Sequence, residues 1–300
     1  MTSPSLRHVG DLLAERIACH RHLSRLAGSA KAGLFLSQAI YWTRVGEAIL
    51  ENGGWFYKTI AQWSHETGLS RREQERARRC LKALGVLEEE LRGLPAKLWF
   101  RVNLERLGEA LAGLHRISAP PLTLEALRTR GLEWVRQILG PILVFHRRLV
   151  QITGSVHAAL VLSRHLEETR RQTRIRASHW MRPRQEALRE ETGLSRRELE
   201  HARAVLRSAG FIDERRQGLP PAVAARLDLE ALAQAAQRLG LVLRLGTGLP
   251  PLTPTRPETR PHAPVHDSAI LDCGNPTIKS EETPQTRMAH SAQSACTEGA

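Results

Sequence analysis

Aromatic side chains are scarce in this chain of 300 residues: five Phe, six Trp and two Tyr make up 4% of it. Strands draw heavily on aromatic and β-branched residues, so an all-β sandwich or an aromatic-lined sugar site is not the first expectation. Cysteine is scarcer still. Cys19, Cys80, Cys273 and Cys296 show no paired spacing, which indicates neither a disulfide framework nor a zinc ribbon. No run approaches the ~18–20 apolar residues of a membrane span. The segment Met1–Val9 carries no apolar stretch before a small-residue cleavage site, so no secretory signal is visible and the expected compartment is the cytoplasm. A G-x-x-x-x-G-K-[ST] phosphate loop is missing, so an ATPase is not supported.

What the chain has is apolar content and positive charge. At 41% hydrophobic it can bury a core, which excludes wholesale disorder. Lys and Arg total 44 against 31 acids, a net charge of +13, and only five of the cations are Lys. Codon bias accounts for Arg over Lys but not for the excess over acids. Residues 1–245 carry 40 basic and 25 acidic side chains, whereas residues 246–300 carry four and six. The charge therefore belongs to the folded part, and a polyanion is the natural partner.

The chain also repeats itself. Glu66-Thr67-Gly68-Leu69-Ser70-Arg71-Arg72-Glu73 recurs unchanged 125 residues on, as Glu191-Thr192-Gly193-Leu194-Ser195-Arg196-Arg197-Glu198. The same offset matches Arg78 with Arg203, Leu81 with Leu206, Gly85 with Gly210 and Gly93-Leu94-Pro95 with Gly218-Leu219-Pro220. Upstream, Gly28-Ser29 and Leu36-Ser37 match Gly154-Ser155 and Leu162-Ser163 at an offset of 126. A unit of about 90 residues has been duplicated in tandem.

Within the first unit, residues 30–45 have near-helical apolar spacing, and Trp55-Phe56-Tyr57 suits a short strand. Thr59 with Gln62, and Ser70 with Glu73, are capping boxes that open two helices. These end at Gly68 and Gly85. Residues 86–91 and 98–103 flank a Gly/Pro turn and read as a β-hairpin. This is the order of a winged helix-turn-helix domain. The second unit keeps the pattern, but Pro220-Pro221 and a weakly β-prone second strand predict a shorter or less regular wing. The segments 6–26 and 122–139 read as extra helices. The fold class is therefore mainly α with small β wings. Residues 1–116 form a first winged-helix domain with an N-terminal helix, 117–141 a helical linker and 142–245 a second winged-helix domain. Residues 246–300, with eight of the 16 prolines, form a disordered Pro/Ser/Thr-rich tail.

On a helical wheel, Ala77, Cys80, Leu81 and Leu84 share one face of the second capped helix. Arg71, Arg72, Glu75, Arg78, Arg79 and Lys82 stand opposite. The matching helix of the second unit presents Arg196, Arg197, Glu200, Arg203 and Arg207. Such a cationic face suits a recognition helix, since Arg forks onto guanine O6 and N7 or onto phosphate. A solvated face laced by i,i+4 ion pairs is the alternative. Arg170, Arg171, Arg174 and Arg176, continuing to Arg182 and Arg184, make a second cationic cluster, read as a loop for phosphate contact. Glu88-Glu89-Glu90 on the first wing would repel phosphate, so only the wing tip, Arg92 and Lys97, suits DNA. These acids could instead meet the other domain's basic loop. Cys19-His20-Arg21-His22, placed on a helix, offers at best two metal ligands. Tyr41, Tyr57, Trp55 and Trp180 read as core. No catalytic constellation, metal site or cofactor site is found, and the chain is read as non-enzymatic.

Trp55-Phe56-Tyr57-Lys58, Glu66–Glu73, Leu81–Leu87, Gly93-Leu94-Pro95-Ala96 and Phe100-Arg101-Val102-Asn103 together resemble the winged-helix domains of phage and plasmid replication proteins. The resemblance covers about 75 residues well and the second unit more loosely. It implies sequence-specific binding of double-stranded DNA and a replication initiator that binds origin repeats. Without an ATPase motif it would have to recruit a host replication helicase or loader. A winged-helix transcriptional regulator and a winged-helix interaction scaffold without DNA binding stay open, as does the oligomeric state. Two pseudo-equivalent domains predict protection of two half-sites about one helical turn, roughly 10 base pairs, apart. Residues 246–300 lack an apolar face and net attraction for phosphate. Their removal is expected to leave DNA affinity within a few-fold at constant salt; a tenfold loss for a 1–245 chain in a gel shift would place the tail in the interface.

Overall fold

The computed structural model describes residues 15–115, 122–174, 180–181, 184–218 and 222–240. The expected tail, 246–300, lies outside them. The first repeat runs β1 (Arg16–His20), α1 (Arg21–Leu26), α2 (Ala30–Val45), a 3-10 turn at Glu47–Ile49, β2 (Trp55–Tyr57), α3 (Ile60–Thr67) and α4 (Arg71–Ala83). It closes with β3 (Leu87–Arg92), β4 (Lys97–Val102) and α5 (Leu104–His115). Two short helices follow, α6 (Leu124–Thr129) and α7 (Leu132–Leu139). The second repeat runs β5 (Ile142–His146), α8 (Arg148–Thr153), α9 (Val156–Arg174), α10 (Gln185–Thr192) and α11 (Arg196–Ser208). It ends with β6 (Ile212–Gln217), β7 (Ala222–Leu227) and α12 (Leu229–Arg238). The chain is mainly helical with small antiparallel sheets. Among the described residues no helix is long and apolar enough to cross a membrane.

Capping sets where the key helices begin. Thr59, Ser70 and Ser195 each close a complete capping box, with Gln62, Glu73 and Glu198 as the reciprocal partners. α2 and α9 are each buried along most of their length. In α2 this includes Leu34, Phe35, Leu36 and Ile40; in α9 it includes Val156, Leu160, Val161, Leu162 and Leu166. A helix apolar on nearly all sides sits at the centre of its core. Phe35 stacks on Trp63 at 4.0 Å between ring centroids, and Phe100 meets Trp63 edge-on at 5.6 Å.

Two expectations from the sequence are corrected. Segment 6–26 is not helical throughout: Cys19 and His20 end strand β1, and Arg21 and His22 open α1. The strands of the second hairpin are not shorter, because β6 and β7 have six residues each, as β3 and β4 do, while its tip at 219–221 lies outside the described residues. Among the described residues the second sheet has no third strand. Where Phe56 pairs Phe100 within the sheet order β2-β4-β3, the equivalent Met181 makes only an isolated bridge to Ala225.

β1 and β5 form a two-stranded antiparallel sheet that joins the repeats. In this ladder Ala18 faces Val144, and the upstream repeat offset also maps Ala18 onto Val144. A residue that pairs with its own equivalent marks a local two-fold axis. The contacts around it come in matched pairs. Arg21 N donates to Pro141 O at 3.0 Å, and Arg147 N donates to Glu15 O at 3.3 Å. His20 N donates to Ser37 Oγ at 3.0 Å, and His146 N donates to Ser163 Oγ at 3.1 Å. This explains why Leu36-Ser37 recurs as Leu162-Ser163: each serine ties its core helix to one strand of the shared ladder. Burial pushes His20 and His165 down to about 4, so both stay neutral in the core.

The repeats also interlock through their tight turns. Gly68 and Gly193 end α3 and α10 in the left-handed conformation, with φ of 72° and 71°. A Cβ on Gly68 would lie 2.7 Å from the side chain of Val150, and a Cβ on Gly193 would lie 2.4 Å from Ser24 Cβ. Ser24 and Val150 are themselves equivalent, so each turn rests on the other repeat. Replacing Gly193 by Ala adds steric overlap to the left-handed penalty, a loss of about 2–5 kcal/mol in denaturant unfolding. Gly210→Ala is the control, since Gly210 has φ of 72° and nothing within 4 Å of its Cβ position. It should lose only about 1–2 kcal/mol. Equal losses would mean that the contact across the axis adds nothing.

Candidate nucleic-acid interface

α4 and α11 are presented by a tight turn that the repeated octapeptide builds. In the first repeat Glu66 is the anchor. It accepts hydrogen bonds from Gln38 Nε2 at 2.9 Å and Trp42 Nε1 at 2.7 Å, and it pairs with buried Lys58. The Lys58 ammonium also lies 3.8 Å over the Trp42 ring. In the second repeat Arg164 of α9 replaces Gln38 and pairs with Glu191. Gln74, which the sequence reading missed, donates to Ile60 O at 3.1 Å, Leu69 O at 2.9 Å and Ser64 Oγ at 2.8 Å, locking α3 to α4. Its equivalent is buried Leu199, so the polar lock belongs to the first repeat alone.

On α4, Ala77 and Leu81 are buried, whereas Arg71, Arg72, Glu75, Arg76, Arg79 and Lys82 are exposed. Arg76 is an addition to the expected face. On α11, Leu199, Ala202 and Leu206 are buried, whereas Arg196, Arg197, Glu200 and Arg207 are exposed. Arg71 pairs with Glu75 and Arg196 with Glu200, each at 3.0 Å. Such exposed i,i+4 pairs contribute only about 0.3–0.5 kcal/mol and yield readily to a phosphate or a base edge.

Arg78 and Arg203 are different. Arg78 holds Glu89 of β3 with Nε–Oε1 at 2.5 Å and Nη2–Oε2 at 3.2 Å, and Lys82 Nζ reaches Glu89 Oε2 at 3.0 Å. In the second repeat, Arg203 reaches Glu214 at 2.6 Å and Arg207 reaches it at 2.5 Å. Arg78 and Arg203 expose only 18% and 11% of their side chains, so these two cations bind hairpin to helix and do not stand on the outward face. Lys82 and Arg207 keep 47% exposure each and can still meet solvent. Among the described residues the wing acids pair within their own repeat: Glu88 with Arg101, Glu89 with Arg78 and Lys82, and Glu90 with Arg92. A signal was present in the sequence. Of the three glutamates only Glu89 recurs as glutamate, at Glu214, alongside the recurrence of Arg78 as Arg203.

Trp55 and Trp180 are half-buried and carry cations on their rings, which corrects their reading as core. Arg92 and Arg101 lie 4.2 and 4.9 Å from the Trp55 centroid, and Arg215 and Arg226 lie 3.7 and 5.1 Å from that of Trp180. Tyr41 and Tyr57 are likewise half-buried. Lys97 is exposed at the end of β4, 5.4 Å from the Tyr57 ring. Residues 170–174 are the last turn of α9 and not a loop. Arg170 is buried there, and Arg171 is exposed and pairs with Glu168 at 2.5 Å. The side chain of Arg174 and all of Arg176 and Arg182 lie outside the described residues.

The residues that flank the first turns of α4 and α11 lie within reach of one another's charges across the local two-fold axis. Lys31 pairs with Glu73 at 2.6 Å, and the equivalent His157 lies 3.6 Å from Glu198. The charges of Lys31 and Glu73 reach His157, and Lys31 also reaches Glu198. Burial and Lys31 hold His157 below its ordinary value against the pull of the two glutamates. Arg71 and Arg72 therefore stand on one side of the axis, and Arg196 and Arg197 on the other. Comparison of the chain with protein-family models, curated proteins and solved structures finds no match.

Burial alone would raise Glu89 and Glu214, but the hydrogen bonds from their Arg and Lys partners more than offset this and hold both carboxyls below the ordinary 4.5. A depressed carboxyl stabilises the fold above its unfolded-state pKa, and that contribution is lost as pH falls through the folded-state value. Glu89→Gln or Glu214→Gln should cost about 1–3 kcal/mol at neutral pH. The deficit relative to the wild type should shrink below about pH 4.5, as the wild type loses the same charge. A deficit that is constant with pH in chemical denaturation would exclude the ionic clamp.

Proposed function

We propose that this chain is a non-enzymatic, sequence-specific binder of double-stranded DNA, built from two tandem winged helix-turn-helix units. α4 and α11 act as its recognition helices. The observation that carries this reading is the placement of Arg71 and Arg72, and of Arg196 and Arg197, on the exposed first turns of two equivalent helices related by a local two-fold axis. The first turn of a recognition helix is the part that reads base edges in the major groove. The net charge of +13 supplies the sequence-independent attraction. Because the axis inverts one helix relative to the other, one chain imitates a dimer, and first turns held this close to the axis call for two inverted half-sites that abut, closer than the roughly 34 Å of half-sites a full helical turn apart. In cellular terms we place the protein as a replication initiator of a plasmid or phage-like element, which recruits a host helicase or loader. This step rests on the resemblance of its repeated turn and hairpin to those of replication proteins.

The division of cations sharpens the test. Arg71→Ala or Arg72→Ala should cost about 1–3 kcal/mol of specific affinity and relax the preference at one base. Arg79→Ala should weaken all sequences alike and lower the salt slope by about one. Arg203→Ala should act on stability first, through the Glu214 clamp. Gel shifts over a salt series, with footprinting on a duplex enriched from a randomised library, measure each outcome. If the Arg71 and Arg72 variants stay folded and keep wild-type affinity and preference, the assignment of α4 fails. Protection of a single half-site per chain would reject the two-fold arrangement.

A further inference from the structure

Leu94 forms the tip of the first hairpin and is fully exposed, at 102% of its reference area, and Leu91 beside it is 68% exposed. Scattered surface leucines are ordinary and need no function. Three observations set Leu94 apart. First, the triplet Gly93-Leu94-Pro95 recurs as Gly218-Leu219-Pro220, while its surroundings change: Leu91 corresponds to Arg216, Arg92 to Gln217, Ala96 to Pro221 and Lys97 to Ala222. In the first repeat Leu94 covers no neighbour, so its packing within the fold gives no reason for it to recur. Second, the hairpin that carries it is fixed. Glu89 ties β3 to Arg78 and Lys82 of α4, and Arg92 and Arg101 lie against Trp55. Third, Arg92 and Lys97 face each other across the base of the tip, so an apolar point stands between two cations.

The reach of this arm is physically meaningful. Extended strand carries the hairpin about 10 Å from the Glu89 clamp to Arg92, and the turn at residues 93–96 sets Leu94 beyond that point. A helical turn of B-DNA is about 34 Å, so the minor groove next to an occupied major groove is centred about 17 Å away. We propose that, with α4 in the major groove, Leu94 enters the adjacent minor groove as an apolar wedge that partly unstacks one base step, while the exposed Lys97 holds a flanking phosphate. Apolar wedges at kinked steps are a recurrent means of bending a duplex, and flexible pyrimidine–purine steps kink most readily. The wedge rests on the DNA-binding reading and adds to it a readout of deformability at a step that no polar side chain contacts.

The test uses the full chain and a duplex enriched from a randomised library, carrying 2-aminopurine at successive positions beneath the wing. The wild type should raise the fluorescence at one step and bend the duplex. Leu94→Ala should abolish that rise and weaken binding about tenfold, leaving the base preferences of α4 and the thermal unfolding midpoint unchanged. Leu94→Met should restore the signal. Binding by the wild type without any unstacked step overturns the wedge alone. So does a Leu94→Ala variant that unstacks the step as well as the wild type, or one whose only change is in oligomeric state by light scattering. A wild-type chain that binds no duplex overturns the DNA-binding reading itself, and the wedge with it.

Discussion

The ladder between β1 and β5 is the constraint on which the described structure turns. Five residues from each repeat pair so that Ala18 meets its own equivalent, Val144, and the serine and glycine contacts around the ladder repeat across that axis. Separately folded domains on a flexible tether would leave the angle between α4 and α11 undetermined. Here Ser37 and Ser163 bind α2 and α9 to the shared strands, and Gly68 and Gly193 seat each tight turn on the opposite repeat. The orientation of one cationic helix relative to the other is therefore part of the core. A duplicated unit that shares a ladder in this way has the geometry of an isologous dimer, with the concentration dependence of dimerisation removed.

Within that frame, charge alone does not identify an interface. α4 and α11 look uniformly basic on a wheel, yet their cations divide by position. Those in the first turn project to solvent and make only exposed pairs. Arg78 and Arg203, seven residues further on, are held by hairpin carboxylates and are lost to any ligand. The division is useful to both parts. A wing fixed to the C-terminal half of its helix cannot swing, so wing tip and helix N-terminus are held at a set separation. The same glutamates remove positive charge where it would bind any polyanion without discrimination.

Much of the local structure was legible. The capping boxes at Thr59, Ser70 and Ser195, the glycine stops and the first hairpin all depend on residues within a few positions of one another, and sequence pattern reports such signals directly. β1 was not legible. Arg16-Ile17-Ala18-Cys19-His20 has neither β-branched richness nor clean alternation, and the partner that makes it a strand lies 126 residues away. The clamp was hidden for a related reason. Three consecutive glutamates read as a repulsive patch until strand alternation turns Glu89 toward α4 and sends Glu88 and Glu90 to the other face, where they meet Arg101 and Arg92. Arg170 was misplaced because a run of arginines resembles a loop; α9 continues through it and turns that side chain inward.

The two repeats have not kept equal equipment, and the differences point one way. The first retains a three-stranded sheet, the Gln74 lock on its turn and the Lys58–Glu66–Trp42 network. The second has a two-stranded hairpin with one extra bridge, Leu199 in place of the lock, and Arg164 alone bridging Glu191 and Glu168. What both preserve is the capped first turn, its two arginines and the Glu–Arg clamp. Divergence has thus been tolerated in how each unit is buttressed but not in how its helix is begun or how its hairpin is tied. A helix that served only as packing would keep its buried face, as Ala77 and Leu81 are kept at Ala202 and Leu206, but would leave its exposed first turn free to drift. The wedge proposed at Leu94 belongs to the repeat whose hairpin is joined by a third strand and whose turn carries the Gln74 lock.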